Sequence, residues 1–283
     1  MVCHHWPSVA GNTPLWTTAR RSVGSQGAKA TFLWDPLEGP QALLDHLARP
    51  DIGPLPVALV MLAGVTPGPG VVDAALSANR TLALSCLAAA QEAGIGRVLI
   101  ASSSAVYGVN RDGTAFTEQS ALYPVSAYGR AKQDMEAALE PAREAGLQVC
   151  ALRIGNVAGA DALLGPLTGR AVDPTRPLRI DAFEDGLGPL RSYIGPADLA
   201  RVLAGLAHAP APLPAVLNIA APMPVRMSAL AAAAGWPYAL TPAPATAVQS
   251  ITLDCGLLQR LCPLSPEATR PETMVQQWKA GWC

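Results

Sequence analysis

A tyrosine and a lysine four residues apart stand in Tyr128-Gly129-Arg130-Ala131-Lys132, near the start of a helical stretch, and residues at that spacing share one helical face. A free phenol has a pKa of about 10 and is a poor base at neutral pH. An ammonium beside it favours the phenolate, as would a cationic ring such as an oxidised nicotinamide. A second polar group, Ser102-Ser103-Ser104-Ala105-Val106-Tyr107-Gly108, follows directly on an apolar run ending near Ala101. A serine hydroxyl there can hydrogen-bond a substrate oxygen and guide its proton. The three residue types together suit removal of a proton from a secondary alcohol while hydride leaves its carbon, or the reverse. Each has a plain structural alternative: the Tyr/Lys pair as a solvated helix face, the serines as caps at a strand end.

The elements that must position these groups are legible in the hydrophobic pattern. Residues 15–19 and 30–34 read as short strands. Residues 57–63 form a continuous apolar run ended by Gly64, the pattern of a strand buried on both faces. A helix is predicted over 71–94, with Leu76, Leu82 or Ala83, and Leu87 on one stripe and Gly94 as its stop. A buried strand over 97–102, a long helix over 126–145 and a further strand over 148–154 complete the alternation. This is the signature of right-handed βαβ crossovers, hence an α/β, Rossmann-like, doubly wound parallel sheet. Ligands of such a sheet bind beyond the carboxyl ends of its strands, where both polar groups fall. After Gly155 the alternation is lost. A helix over 195–209, a strand over 215–220 and an Ala-rich helix over 228–234 remain evident, and the Pro-rich stretch 237–247 reads as an irregular loop. The division predicted is a Rossmann-like nucleotide-binding domain over 1–155 and a smaller substrate-binding region over 156–283, some of whose elements pack back on the sheet.

Composition excludes several classes. The 283 residues are 50% hydrophobic and only 14% charged, with 20 Lys and Arg against 21 Asp and Glu and a formal charge of −1. Disorder is disfavoured, and without a basic stripe nucleic-acid binding has no support. The longest apolar stretches, 57–65 and 81–90, fall short of the roughly 20 residues that cross a bilayer. Residues 1–7 carry neither a basic n-region nor an apolar h-region, so the expectation is a soluble cytoplasmic protein acting on a small molecule. Six cysteines at 3, 86, 150, 255, 262 and 283 include no C-x-x-C, and the histidines are at 4, 5, 46 and 208. Cys86 and Cys150 read as core residues. Cys3-x-His5 lacks a second ligand pair, so no metal is expected.

On these residues the chain resembles the extended short-chain dehydrogenase/reductase superfamily, and within it the NAD-dependent epimerase/dehydratase branch that acts on nucleotide sugars. The resemblance spans about residues 15–265 and rests on Val60-Met61-Leu62-Ala63-Gly64, the helix bearing Asn79, Ser102 to Gly108, Tyr128 to Lys132, Leu152-Arg153-Ile154-Gly155-Asn156-Val157-Ala158-Gly159 and Arg191-Ser192-Tyr193-Ile194-Gly195-Pro196-Ala197-Asp198-Leu199-Ala200. It implies Tyr128 as acid/base, Lys132 as the cation that lowers its pKa and holds the nicotinamide ribose, and Ser103 as the catalytic serine, with Ser104 the second choice. Ala63 and Gly64 fall where the family meets its cofactor. Asn156 and Arg191 fall where it meets the substrate and its diphosphate, although an ion pair of Arg191 with Asp198 would serve structure alone. A dehydratase places an acidic pair beside the serine. Here Ser104 and Ala105 stand there, which disfavours dehydration. The helices over 71–94 and 126–145 form the dimer interface in this family, so a homodimer is implied, though their Ala-rich faces equally suit contacts within one chain.

The family's opening strand, glycine-rich turn and helix, which hold the pyrophosphate, have no counterpart here. Residues 1–14 contain only Gly11, and Gly24-x-x-Gly27 lies too close to the next strand for a helix to follow. Residues 15–21 resemble the family's second strand. Two readings stay open: the sequence is a shortened version of an active enzyme, or the protein has lost its cradle and is a non-catalytic, cofactor-deficient binding or regulatory protein. The retained Ser, Tyr and Lys favour the first. Arg20-Arg21 after that strand supply guanidiniums where NAD enzymes place an acid, which favours NADP over NAD; a solvated basic turn is the alternative. Asp35 falls where the family often places an aspartate near adenine, or it forms an Asx turn before Pro36.

Overall fold

A computed structural model describes residues 1–9, 15, 17–19, 32–68, 70–109 and 113–281. In chain order the elements are α1 (Val2–Val9), β1 (Thr18–Ala19), β2 (Phe32–Leu33), α2 (Gln41–Leu47), β3 (Leu59–Met61), α3 (Ala78–Glu92), β4 (Arg97–Ser103), α4 (Ala127–Ala137), α5 (Glu140–Glu144) and β5 (Gln148–Ile154). There follow β6 (Asn156–Val157), β7 (Leu178–Ala182), β8 (Leu190–Arg191), β9 (Tyr193–Ile194), α6 (Pro196–Ala207), β10 (Val216–Ile219), β11 (Val225–Arg226), α7 (Met227–Ala233), β12 (Tyr238–Pro242), β13 (Ser250–Ile251), α8 (Gly256–Leu261) and α9 (Pro271–Ala280).

The central sheet runs β10-β5-β4-β3, all parallel. Because successive strand residues point to opposite faces, the apolar runs of β4 and β5 feed two cores. Leu99, Cys150 and Leu152 pack with α6, β10 and α9 on one face. Val98, Ile100, Val149 and Ala151 pack with α3 and with Met135 and Leu139 on the other. Each fully buried Leu, Ile or Val contributes about 1.5–3 kcal/mol, and burial on both faces is what the uninterrupted apolar strands encode. The result is the predicted α/β doubly wound sheet, closed on one side by β10 returning from the second half of the chain. Cys86 and Cys150 are buried in the core, as expected.

Several expectations are corrected. The 57–63 strand shortens to Leu59–Met61, and Val57 and Leu62 are exposed; β3 is the edge strand, hydrogen-bonded to β4 alone among the described residues, so it is not buried all round. β1 and β2 form a separate parallel pair. The helix predicted over 71–94 begins as a tight 3₁₀ turn, Asp73–Ser77, before α3, and Gly94 (φ +72°) ends it as read. The helix predicted over 126–145 is split into α4 and α5 around Leu139, because Pro141 has no N–H to continue the ladder. The Pro-rich stretch 237–247 is not all loop: β12 pairs in parallel with β7. The helix α1, with Pro7 inside it, was not foreseen. It packs on α6, and the His5 Nε2–H donates to the Gln277 carbonyl of α9 (2.8 Å).

Candidate active site

Ser103 ends β4 and opens a 3₁₀ turn, Ser104–Val106, whose Ala105 N–H donates to the Ser103 Oγ (3.2 Å). Facing it, α4 starts at Ser126, whose hydroxyl accepts the Gly129 N–H (3.0 Å), a helix N-cap. Gly129 lets the two elements meet, since a Cβ there would overlap the Ala105 carbonyl. The first turn of α4 is thereby pressed against the end of β4, which brings the Tyr128 side chain to that of Ser103. Burial pushes the Tyr128 phenol up, and the neighbouring Ser103 hydroxyl opposes that shift.

One turn further on, Lys132 is 3% exposed, with Nζ 5.9 Å from the centroid of the Tyr128 ring. Its ammonium donates to the Ala101 carbonyl (2.8 Å). Burial lowers the Lys132 pKa to about 8, and the negative charge of Glu136 acts in the opposite sense. Beside it the loop after β3 is pinned by buried Asn79: Nδ2 donates to the carbonyls of Val65 and Leu76 (2.9 Å each), and Oδ1 accepts the Val65 N–H (3.0 Å). A Cβ on Gly64 would lie 2.6 Å from Asn79 Oδ1 and 3.5 Å from Lys132 Nζ. Only bare backbone fits over the lysine, and Ala63 and Gly64 are exposed there.

The remaining sequence-predicted residues take other settings. Ser104 stands in the 3₁₀ turn next to Ser103. Arg20 and Arg21 lie outside the described residues. Asp35 caps the turn Pro36–Glu38 through the Leu37 N–H (3.0 Å), the Asx-turn geometry weighed above. Asn156, in β6, stands in register beside Tyr193 of β9, whose hydroxyl donates to Asp161 Oδ2 (2.7 Å). The Arg191 guanidinium donates to the backbone carbonyls of Leu190, Val248 and Gln249. Asp198 is paired instead with Arg201 and Gln277. Among the described residues no group of three or more His, Cys, Asp and Glu side chains is placed to hold a metal.

Sequence reasoning missed what lies beneath the trio. Glu136, one turn beyond Lys132, is buried and receives the Arg153 guanidinium through Nε (3.1 Å to each oxygen) and Nη2 (2.7 Å), together with the Ser102 hydroxyl. Arg153 Nη1 also donates to the Tyr107 hydroxyl (3.0 Å), which donates in turn to Asn218 Oδ1 (2.6 Å). The available signal was the spacing: Tyr128, Lys132 and Glu136 repeat every four residues, and Arg153 is a lone charge in an apolar strand.

A doubly wound parallel sheet with Ser103, Tyr128 and Lys132 gathered at the carboxyl end of β4 defines a Rossmann-like α/β protein. The family model of the NAD dependent epimerase/dehydratase family matches residues 56–220, more than half of the chain, and the chain belongs to that family. Among solved structures it is similar to the UDP-glucose 4-epimerase of Thermus thermophilus in complex with NAD (20% identity, 98% of this chain and 96% of that one, TM-score 0.75). It is similar also to TunA, an NAD-dependent NDP-hexosamine 5,6-dehydratase involved in tunicamycin biosynthesis (18% identity, 100% and 94%, TM-score 0.74). RMD from Pseudomonas aeruginosa complexed with NADPH shares the fold (18% identity, 89% and 90%, TM-score 0.65). No curated protein matches the chain.

Proposed function

We propose that this protein is a nicotinamide-dependent epimerase or oxidoreductase acting on a secondary alcohol or ketone of a sugar or nucleotide-sugar-like small molecule. The observation that carries the reading is the meeting of the Ser103 and Tyr128 side chains beside the buried Lys132 ammonium. In the oxidative direction Ser103 holds the substrate hydroxyl and Tyr128 takes its proton; in the reductive direction Tyr128 returns it. A phenol pushed up by burial is suited to donate, and its service as a base depends on Lys132 and on the positive charge of an oxidised cofactor. When bound, a nicotinamide supplies the acceptor and donor of hydride. The donor set fits its ribose end: Lys132 Nζ lies under the bare backbone of Gly64, where no side chain intervenes. Ala63, Gly64 and Asp35 are read as contacts for the rest of the cofactor, and Arg20 and Arg21 as the residues that would favour NADP. Asn156 and Arg191 are read as substrate contacts from the 156–283 region, and α3 with α4 as the face for a second copy.

Tyr128→Phe is expected to lower turnover by about 10²–10⁴-fold while calorimetric affinity for NADP or NAD is kept. Undiminished turnover overturns the mechanism. The second reading is a cofactor-deficient Rossmann-like binding protein. Absence of binding heat with both NADP and NAD would select it.

A further inference from the structure

The face of α4 that carries Tyr128 and Lys132 continues to Glu136, and all three lie against the end of β4. Glu136 (7% exposed) and Arg153 (5%) form an ion pair between α4 and β5. Ser102, opposite Arg153 in the β4–β5 register, donates its hydroxyl to the same carboxylate. A pair so placed is costly in desolvation, and apolar residues of similar volume often serve stability as well or better. Its position addresses that cost. It lies one helical turn behind the lysine, and its Ser102 partner directly precedes Ser103.

We propose that the Glu136–Arg153 pair is a positioning device for proton transfer at Tyr128: the Glu136 carboxylate keeps the buried Lys132 ammonium charged, and Arg153 and Ser102 hold that carboxylate fixed to the strand end that presents Ser103. The inference rests on the function proposed above. Lys132 is faced on α4 by Tyr128, Glu136 and the Met135 sulfur (3.9 Å), on β4 by the Ala101 carbonyl, and beside the β3 loop by Asn79 of α3. Arg153 stands behind Glu136, with the Tyr107 hydroxyl and the Glu118 carbonyl as its other partners. Glu136 is therefore the anion that offsets the burial of Lys132.

Three lysines, Lys29, Lys132 and Lys279, make the test direct. In protein labelled with ¹³C at lysine Cε, the Lys132 resonance is assigned by its loss in Lys132→Met and titrated in the full chain without cofactor. Glu136→Gln alone strands a buried guanidinium, so the informative variant is the double Glu136→Gln/Arg153→Met. Removing the Arg153 charge by itself moves the lysine upward, so any downward movement reports the lost carboxylate. We expect the midpoint to fall by about one pH unit or more, the alkaline limb of kcat to fall with it, and KM to change little. Glu136→Asp, which keeps the charge, is expected to keep the wild-type midpoint even where it lowers stability.

An unmoved midpoint in the double variant overturns the proposal. A midpoint that moves while the alkaline limb of kcat stays overturns its link to proton transfer. If the titration is unmoved while Tyr128→Phe is inactive, the coupling fails and the enzymatic reading stands. If wild type turns nothing over although the midpoint moves, the enzymatic reading and the catalytic role of the pair fail together, leaving the electrostatic coupling alone.

Discussion

Lys132 carries a burial penalty that Glu136 offsets only in part, since its pKa falls to about 8. Below pH 8 the lysine is charged in both the folded and unfolded chain and the penalty acts in full. Between about 8 and 10.5 the unfolded chain holds a proton that the folded one has released, so this group's contribution to stability rises with pH. Above that range it is neutral in both states and the penalty is gone. Urea unfolding of wild type and Lys132→Met across pH 7–11 is expected to show a difference moving by about 3 kcal/mol in favour of wild type as pH rises. A flat difference would contradict the burial. Removing the hydroxyl in Ser103→Ala should lower kcat by at least about tenfold, with stability changed by about 1 kcal/mol through the lost cap to Ala105. The two effects are separable in one set of kinetic and unfolding measurements.

The elements α4 and β4 meet at a glycine. In Gly129→Ala the new methyl meets the Ala105 carbonyl, so the helix start must lift from the 3₁₀ turn and take Tyr128 away from Ser103. The prediction is a lower kcat even though alanine is the better helix former by about 1 kcal/mol. A variant that is more stable and fully active would show that the close approach is not needed. The split between α4 and α5 at Pro141 belongs to this scale too: the hydrophobic pattern of 126–145 is continuous, and only the missing N–H interrupts it. The exposed side of β3 has a different origin. Its apolar residues promised burial on both faces, yet burial depends on neighbours that the strand does not itself encode.

Across the whole molecule the C-terminal helix closes the larger core. Trp278 of α9 is fully buried against Gly159, which has φ +85° and no room for a Cβ, and its indole N–H donates to Thr168 (3.1 Å). Gln277 on the same helix accepts the N–H groups of Ala197 and Asp198 at the start of α6 (3.0 and 3.2 Å). Trp278→Ala is expected to cost about 3–5 kcal/mol in denaturant unfolding, with the Ser103–Tyr128–Lys132 contacts on the other half of the fold kept. Retained stability would show that α9 is not part of the cooperative unit. No helix among the described residues is long and apolar enough to cross a membrane.

The sequence by itself determined the parallel βαβ order, the strands β4, β5 and β10, the helix α6, and the placing of Ser103, Tyr128 and Lys132 at strand and helix ends. Those features follow from local periodicity and spacing, which the chain carries residue by residue. Tertiary structure alone decided which serine meets the tyrosine, that Ser102 instead serves Glu136, that Arg153 is its partner, and that Arg191 turns to carbonyls rather than to Asp198. It also paired β12 with β7 inside a Pro-rich stretch. Such choices depend on which distant backbones lie within about 3 Å of one another, and no periodicity in a single segment records that.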